Sequence, residues 1–365
     1  MKNMIFHIPY FLDENMKSGS HIRPLKMKQA FEEIGYNVDV ISGYHNSRKK
    51  AIDKIKENIQ NGIKYDFCYS ESSTMPTMLT EKNHIPRYPS LDFSFFKFLN
   101  KNNIKIGLFY RDCLWAFPEE YDALVSLPKR IVSKHYYKKD LNLYNKFIDK
   151  VYLPSLSMKN KLPVNLKNAN SVLPPGLDEV INKKTTPSDK LRLFYVGGLD
   201  TSLYNLKLLF EVVGSLDFVE MTVCVREDEW ENLKETYTKF MKKDNIKIIH
   251  KSGKEFEEDI LNSDITVLYY KVTNYRSFAM PVKLFEYLGY LKPILSTPNN
   301  AAADFIEKNN IGFIVDYDKN SLKDELFNIY KNKDEILNKM HENLLEVAEN
   351  NTWASRARQV ANDLK

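Results

Sequence analysis

From Met280 to Pro298 the chain reads Met-Pro-Val-Lys-Leu-Phe-Glu-Tyr-Leu-Gly-Tyr-Leu-Lys-Pro-Ile-Leu-Ser-Thr-Pro, which sets a cation and a carboxylate where they could do chemistry. Lys283, Glu286 and Tyr290 are three and four residues apart, so on a helix they share one face. Val282, Leu284, Phe285, Leu288 and Leu291 make a broad apolar stripe on the other. Pro281 suits the first helical turn, and Pro293 ends the helix before a short buried strand at residues 294–296. A helix opening beside a loop offers free backbone N–H groups. Those amides and the lysine suit phosphate, while the carboxylate suits sugar hydroxyls. The same pattern also fits a plain amphipathic helix whose Lys283 and Glu286 face solvent.

Other residues gather near the ends of apolar runs. Gly19, between Ser18 and Ser20, could let a ligand approach the backbone closely, and it equally fits an ordinary loop glycine. His21 and Arg23 lie beside it, and Arg23 could grip an anion or stand solvated. Phe109-Tyr110-Arg111-Asp112 closes a strand, where Asp112 fits either a hydroxyl contact or the N-cap of the next segment. Glu71, after the strand at 67–70, is a candidate of the same type. His7, His45, His84, His135, His250 and His341 show no partner pattern and read as surface or structural residues. No Gly-x-Gly-x-x-Gly or P-loop pattern is present, which disfavours a dehydrogenase and an NTPase, and no divalent-metal site is expected.

The elements that must position these residues repeat. A strand at 4–8 is followed by a polar loop to Arg23, a helix from about Pro24 to Ile34 and a strand at 38–42. Further strands fall at 67–70, 104–110 and 151–153, with helices between them. Strand–loop–helix–strand order implies parallel α/β units. Residues 172–178, with two prolines and a glycine, and the polar stretch 182–189 mark a boundary. Beyond it the pattern restarts with strands at 191–196, 221–225, 246–249, 265–269 and 294–296, and two more helices are expected after the last. The 365 residues are 43% hydrophobic and 28% charged, with a formal charge of +5, ordinary for a globular protein. That charge suits nucleotide phosphates or an anionic membrane surface and is too small to imply nucleic acid. Three scattered cysteines suggest neither disulfides nor a metal site, and no apolar run is long enough to span a bilayer.

Pro-x-Lys-Leu-Phe-Glu-Tyr-Leu followed by Lys-Pro-Ile resembles the nucleotide-binding helix of retaining glycosyltransferases of family four (glycosyl transferases group 1). A weaker likeness runs over nearly the whole chain. It implies the GT-B fold, an α/β architecture of two Rossmann-like parallel-sheet domains facing a central cleft. Residues 1–180 would form the acceptor-side domain and 181–351 the nucleotide-sugar domain, with the C-terminal helix 352–365 packing back on the first. In that family the glutamate matching Glu286 holds the donor ribose, and a glycine-containing loop occupies the place of Gly19. Gly197-Gly198 resembles the turn that cradles the donor diphosphate. The chain departs from the family in three places. The usual arginine after the first glycine is Gly198, the usual lysine falls among residues such as Leu203 and Tyr204, and the first of two paired glutamates is Phe278. Arg276 and Lys283 are the favoured replacements for that charge, with Arg226 and Lys271 next.

The resemblance therefore implies a hexosyltransferase-type enzyme of polysaccharide biosynthesis. It would move a sugar from a nucleoside diphosphate donor, of the UDP type, to a hydroxyl of a glycan, lipid-linked or small-molecule acceptor, with retention. Asp112 and Lys283 would serve catalysis, and Gly19, Gly197, Gly198, Arg276, Lys283 and Glu286 would bind the donor. His21, Arg23, Glu71 and Arg111 would face the acceptor. No cofactor or metal is expected, and the protein would be cytoplasmic or peripheral to the inner membrane. A non-catalytic GT-B partner subunit and a nucleotide-sugar epimerase are the alternatives.

Overall fold

The computed structural model describes residues 2–12, 19–183, 186–199 and 204–365, and the side chain of Ser20 is not among them. Two compact units divide the chain: Met1–Gly176 with Trp353–Lys365, and Leu177–Thr352. The first is built on six strands: β1 (Lys2–His7), β2 (Tyr36–Ile41), β3 (Phe67–Glu71), β4 (Lys105–Phe109), β5 (Lys150–Leu153) and β6 (Ala169–Val172). Their order is β2-β1-β3-β4-β5-β6, and every pairing is parallel. Helices cover such sheets on both faces, so the strands read as near-continuous apolar runs rather than alternating ones.

An aromatic cluster fills one face of this sheet. Phe31, from the helix Gly19–Glu33, meets Tyr69 at 5.4 Å and Phe67 at 5.8 Å between ring centroids, and Phe6 meets Tyr69 at 5.5 Å. The C-terminal helix Trp353–Leu364 packs in the same layer. Its Leu364 fills the space that a side chain on Gly107 would take, and Asp363 accepts from the Tyr152 hydroxyl at 3.0 Å. A buried polar network ties down the carboxyl edge. His7 lies 2.8 Å from Ser70 Oγ and 2.9 Å from Asp92 Oδ1, while Arg48 grips Asp92 and donates to the carbonyls of Pro9 and Gly43. All four side chains are buried, which gives His7 the structural role expected of it.

The second unit repeats the plan with β7 (Leu191–Val196), β8 (Val219–Cys224), β9 (Ile246–Ile249), β10 (Ile265–Leu268), β11 (Ile294–Ser296) and β12 (Gly312–Ile314). The order is β12-β11-β10-β7-β8-β9, again parallel throughout. The expected α/β class with two parallel sheets is what the chain adopts.

Several boundaries differ from those read in the sequence. β6 carries Asn170 and Ser171 at its centre and β12 opens on Gly312, so neither shows the apolar run that marked the similarly short β11. Between β11 and the C-terminal helix lie three helices, not two: Ala301–Asn309, Lys319–Lys331 and Lys333–Glu349. The helix expected from Pro24 begins at Gly19 and runs through the proline. The proline nitrogen cannot donate to the Ser20 carbonyl four residues before it, so the helix runs on with that one backbone bond missing. His21 and Arg23 are therefore helical, not loop, residues. The helix around Glu286 is Val282–Gly289, shorter than its apolar pattern suggested. Pro281 caps it with extended backbone instead of joining it, and Leu291, at φ +53°, turns the chain away beyond the end.

Candidate active site

β7 and β10 are neighbours although β8 and β9 intervene in the chain, so the second sheet changes winding direction between them. Open parallel sheets take ligands at the carboxyl ends of the strands at such a point. There β7 runs into Gly197-Gly198, and β10 runs into Tyr269-Tyr270. The helix Val282–Gly289 is pinned to this edge because the Val196 N–H donates to the Tyr287 hydroxyl at 3.0 Å. Leu284, Phe285, Tyr287 and Leu288 are buried, which turns Lys283 and Glu286 to the opposite side.

Lys283 reaches back to the glycine turn. A β-carbon built on Gly197 would lie 1.9 Å from Lys283 Nζ and 2.6 Å from its Cε, so the amine occupies the space that a side chain would take. Gly197 also has φ +141°, a backbone conformation costly to other residues. Lys283 Nζ donates to the Tyr195 hydroxyl at 3.3 Å, and that hydroxyl donates in turn to the Gly198 carbonyl. The rings of Tyr195 and Tyr204 lie 4.7 and 4.6 Å from the amine. Burial, helped by the positive charge of Arg276, brings the Lys283 pKa down to about 7, against the opposing pull of Glu286 and Glu229.

Arg276 opens the short turn Arg276–Phe278 just before the helix. Its guanidinium lies 4.5 Å from the Tyr204 ring, and its Nε is buried with no hydrogen-bond partner among the described residues. Glu286 is half-buried, one turn beyond Lys283. Burial raises its pKa, with Lys283 opposing and Asp178 adding to the rise. No hydrogen bond or ion pair engages its carboxylate among the described residues. Neither Lys283 nor Glu286 is thus a plain solvent-facing residue.

The two reserve cations stay outside this group. Arg226 is 79% exposed and pairs with Glu229 at 3.2 Å, and Lys271 is exposed. Glu229 also accepts the Leu199 N–H at 2.8 Å and would lie 3.0 Å from a β-carbon on Gly198. Tyr195 and Glu229 were not singled out in the sequence, and Tyr204 entered only as a residue standing where the related pattern has its lysine. Only the position of Tyr195 beside the double glycine hinted at its part. Leu203 lies outside the described residues.

In the first unit the candidates play different parts. Gly19 begins its helix, and its neighbour Ser18 lies outside the described residues. Glu71, the last residue of β3, is fully buried. One oxygen accepts from the Tyr69 hydroxyl at 2.9 Å and lies 3.3 Å from Arg23 Nε, and the other accepts from Arg111 Nη2 at 2.8 Å. With both oxygens engaged, Glu71 anchors two arginines instead of presenting a carboxylate to an acceptor. Arg23 is 4% exposed and stacks on the Phe109 ring at 3.6 Å, so it is not the solvated loop cation of one reading. Arg111 lies 5.3 Å from the Tyr10 ring, and the half-buried His21 lies 6.4 Å from the same ring. Asp112 accepts the Leu114 N–H at 3.1 Å from one residue before Cys113, the N-cap of the next short helix, so it makes an Asx-type turn instead of the N-cap weighed for it. Among the described residues no three His, Cys, Asp or Glu side chains converge as metal ligands.

No protein-family model and no curated protein matches the sequence. Solved structures do match in fold. Anabaena Alr3699/HepE in complex with UDP aligns at a TM-score of 0.65 with 12% identity, covering 100% of this chain and 99% of that one. Sucrose-phosphate synthase from Thermosynechococcus elongatus aligns at 0.63 with 12% identity over 99% and 98%. WaaG, a glycosyltransferase involved in lipopolysaccharide biosynthesis, aligns at 0.58 with 14% identity over 99% of each chain. The two parallel-sheet units define a GT-B fold of the kind found in these glycosyltransferases.

Proposed function

We propose that this chain is a glycosyltransferase that takes a nucleoside diphosphate sugar, of the UDP type, at the carboxyl edge of its second sheet. One observation carries the reading. The Lys283 amine sits in the space left by Gly197, with the Arg276 Nε and the Glu286 carboxylate, both without a hydrogen-bond partner among the described residues, on the same edge. Two cations suit a diphosphate, and a free carboxylate suits the paired hydroxyls of a ribose. The complexes of Alr3699/HepE with UDP and with UDP-glucose support the uridine choice.

As the sugar leaves, negative charge builds on the diphosphate. Arg276, Lys283 and the amides of the Gly197-Gly198 turn and the helix start would meet it. The two side chains take the place of the arginine and lysine that the related pattern carries elsewhere. Because the protein supplies this charge, activity should survive EDTA. An acceptor hydroxyl attacks the face from which the diphosphate departs, with the leaving phosphate taking its proton, so configuration is retained. The acceptor is a glycan, a lipid-linked sugar or a small molecule.

The test pairs binding with turnover. Arg276→Ala and Lys283→Ala should weaken UDP binding while leaving uridine binding unchanged, since uridine lacks the phosphates. The purified chain should release UDP from a UDP-sugar, faster with an acceptor. Binding without any turnover would mark a non-catalytic partner, and sugar conversion without an acceptor would mark an epimerase.

A further inference from the structure

Several large apolar side chains of the first unit are exposed, among them Phe11, Ile85 and Leu156, and four more fall together within nine residues. Leu124, Leu127, Ile131 and Val132 are 71%, 59%, 63% and 49% exposed. They sit where the helix Pro118–Leu124 meets the helix Leu127–Phe147. The longer helix buries Tyr137, Asp140, Leu141 and Tyr144, which turns its other face outward. The junction is held firmly. Asp122 pairs with Arg130 at 2.8 Å and Lys134 at 3.0 Å, the Tyr121 hydroxyl bonds Ser133 Oγ at 2.7 Å, and Trp115 stacks on Tyr137 at 4.8 Å. The apolar group is therefore fixed in place, not a loose end.

The outward face continues as cations. The longer helix carries Lys129, Arg130, Lys134, Lys138, Lys139 and Lys146 against a single carboxylate, Asp140. That carboxylate points inward and accepts the Thr77 N–H at 2.7 Å. Among the described residues no carboxylate lies within ion-pair distance of Lys129, Lys138 or Lys139. Glu119 and Glu120 stand at the start of the shorter helix, a turn or more before Leu124.

We infer that this corner docks the first unit on an anionic lipid surface. Leu124, Leu127, Ile131 and Val132 enter the boundary between headgroups and acyl chains, and the lysines meet lipid phosphates. Charge decides against a second copy of the chain, which would bring the same lysines face to face. A bilayer with anionic headgroups satisfies the apolar cluster and the cations with one continuous surface.

Flotation of the full chain with phosphatidylcholine vesicles, with and without phosphatidylglycerol, tests this. The wild type should bind the phosphatidylglycerol vesicles, more weakly as salt rises, and leave the neutral ones. A Leu127→Ser, Ile131→Ser double variant should lower partitioning about tenfold or more. A Lys138→Glu, Lys139→Glu variant should lower it and flatten the salt dependence. Circular dichroism and UDP binding at the second unit show whether each variant is folded. Failure of the wild type to bind anionic vesicles would overturn the proposal, as would unchanged partitioning of both folded variants. Sedimentation showing a dimer that the serine variant dissolves would instead make the patch a contact between copies.

Discussion

Above pH 7 the affinity for UDP should fall steeply, because the empty site lets Lys283 lose its proton there. Burial and Arg276 hold its pKa at about 7, against an ordinary 10.5. A diphosphate beside the amine favours the charged form. Below pH 7 the lysine is already charged, so binding needs no proton. Above it, each UDP bound must bring one. If binding restores an ordinary pKa, the charged fraction of the empty site falls from about one half at pH 7 to about one hundredth at pH 9. Affinity then drops about fiftyfold, roughly 2 kcal/mol. The terminal phosphate of UDP, with a second pKa near about 6, is almost fully ionised over this window, and Arg276 stays charged throughout. Titration calorimetry at pH 8 in two buffers of different ionisation enthalpy should show about 0.9 proton taken up per UDP. Lys283→Met should bind more weakly at pH 7, with neither the slope nor the uptake. A wild type whose UDP affinity is flat from pH 7 to 9, or a variant with the same slope, would refute the reasoning.

Glu286→Gln should weaken UDP binding by about 1.5–3 kcal/mol, the cost of a lost charged hydrogen-bond acceptor, and hardly affect a nucleotide lacking the ribose 2′- and 3′-hydroxyls. Equal losses for both nucleotides would move Glu286 off the ribose. Gly197→Ala should strain the backbone by about 1–2 kcal/mol and push the Lys283 amine aside, lowering UDP affinity more than it lowers Tm. Retained affinity would show that the lysine finds the phosphate from elsewhere. Glu71→Gln should leave Arg23 and Arg111 short of their counter-charge and destabilise the first unit by on the order of 3 kcal/mol. Thermal unfolding checks this, UDP affinity should stay unchanged, and an unchanged Tm would contradict the anchoring role.

Much of the fold was legible because parallel strands are written as near-continuous apolar runs, broken here only by residues such as Arg192 and Thr266. Residues 191–196 and 265–268 announce themselves this way, and the polar turns between elements are equally plain. The shared face of Lys283 and Glu286 was legible too, since helical spacing is a local property. So was the double glycine, because a turn leaves its mark in residue type. β12 was not legible, since it opens on a glycine and offers only two apolar residues, and the start of the first helix was hidden by the ordinary expectation for proline.

What sequence could not decide was which strand edges meet. Only the order β10-β7-β8 brings Arg276, Lys283 and Tyr195 to one edge, and pairing between strands so far apart in the chain leaves no trace in local pattern. The amine of Lys283 lies against Gly197, 86 positions earlier, and its lowered pKa comes from burial and a neighbouring charge that exist only after folding. Glu71 shows the same division. Its residue type suggested a contact at a strand end, but tertiary packing put two arginines and a tyrosine hydroxyl on its oxygens and made it an anchor. Sequence determined the elements and the chemistry each could carry, because propensity and periodicity act over a few residues. The tertiary structure decided which of those groups stand together, buried and charged, because desolvation and Coulomb energy depend on distances in space.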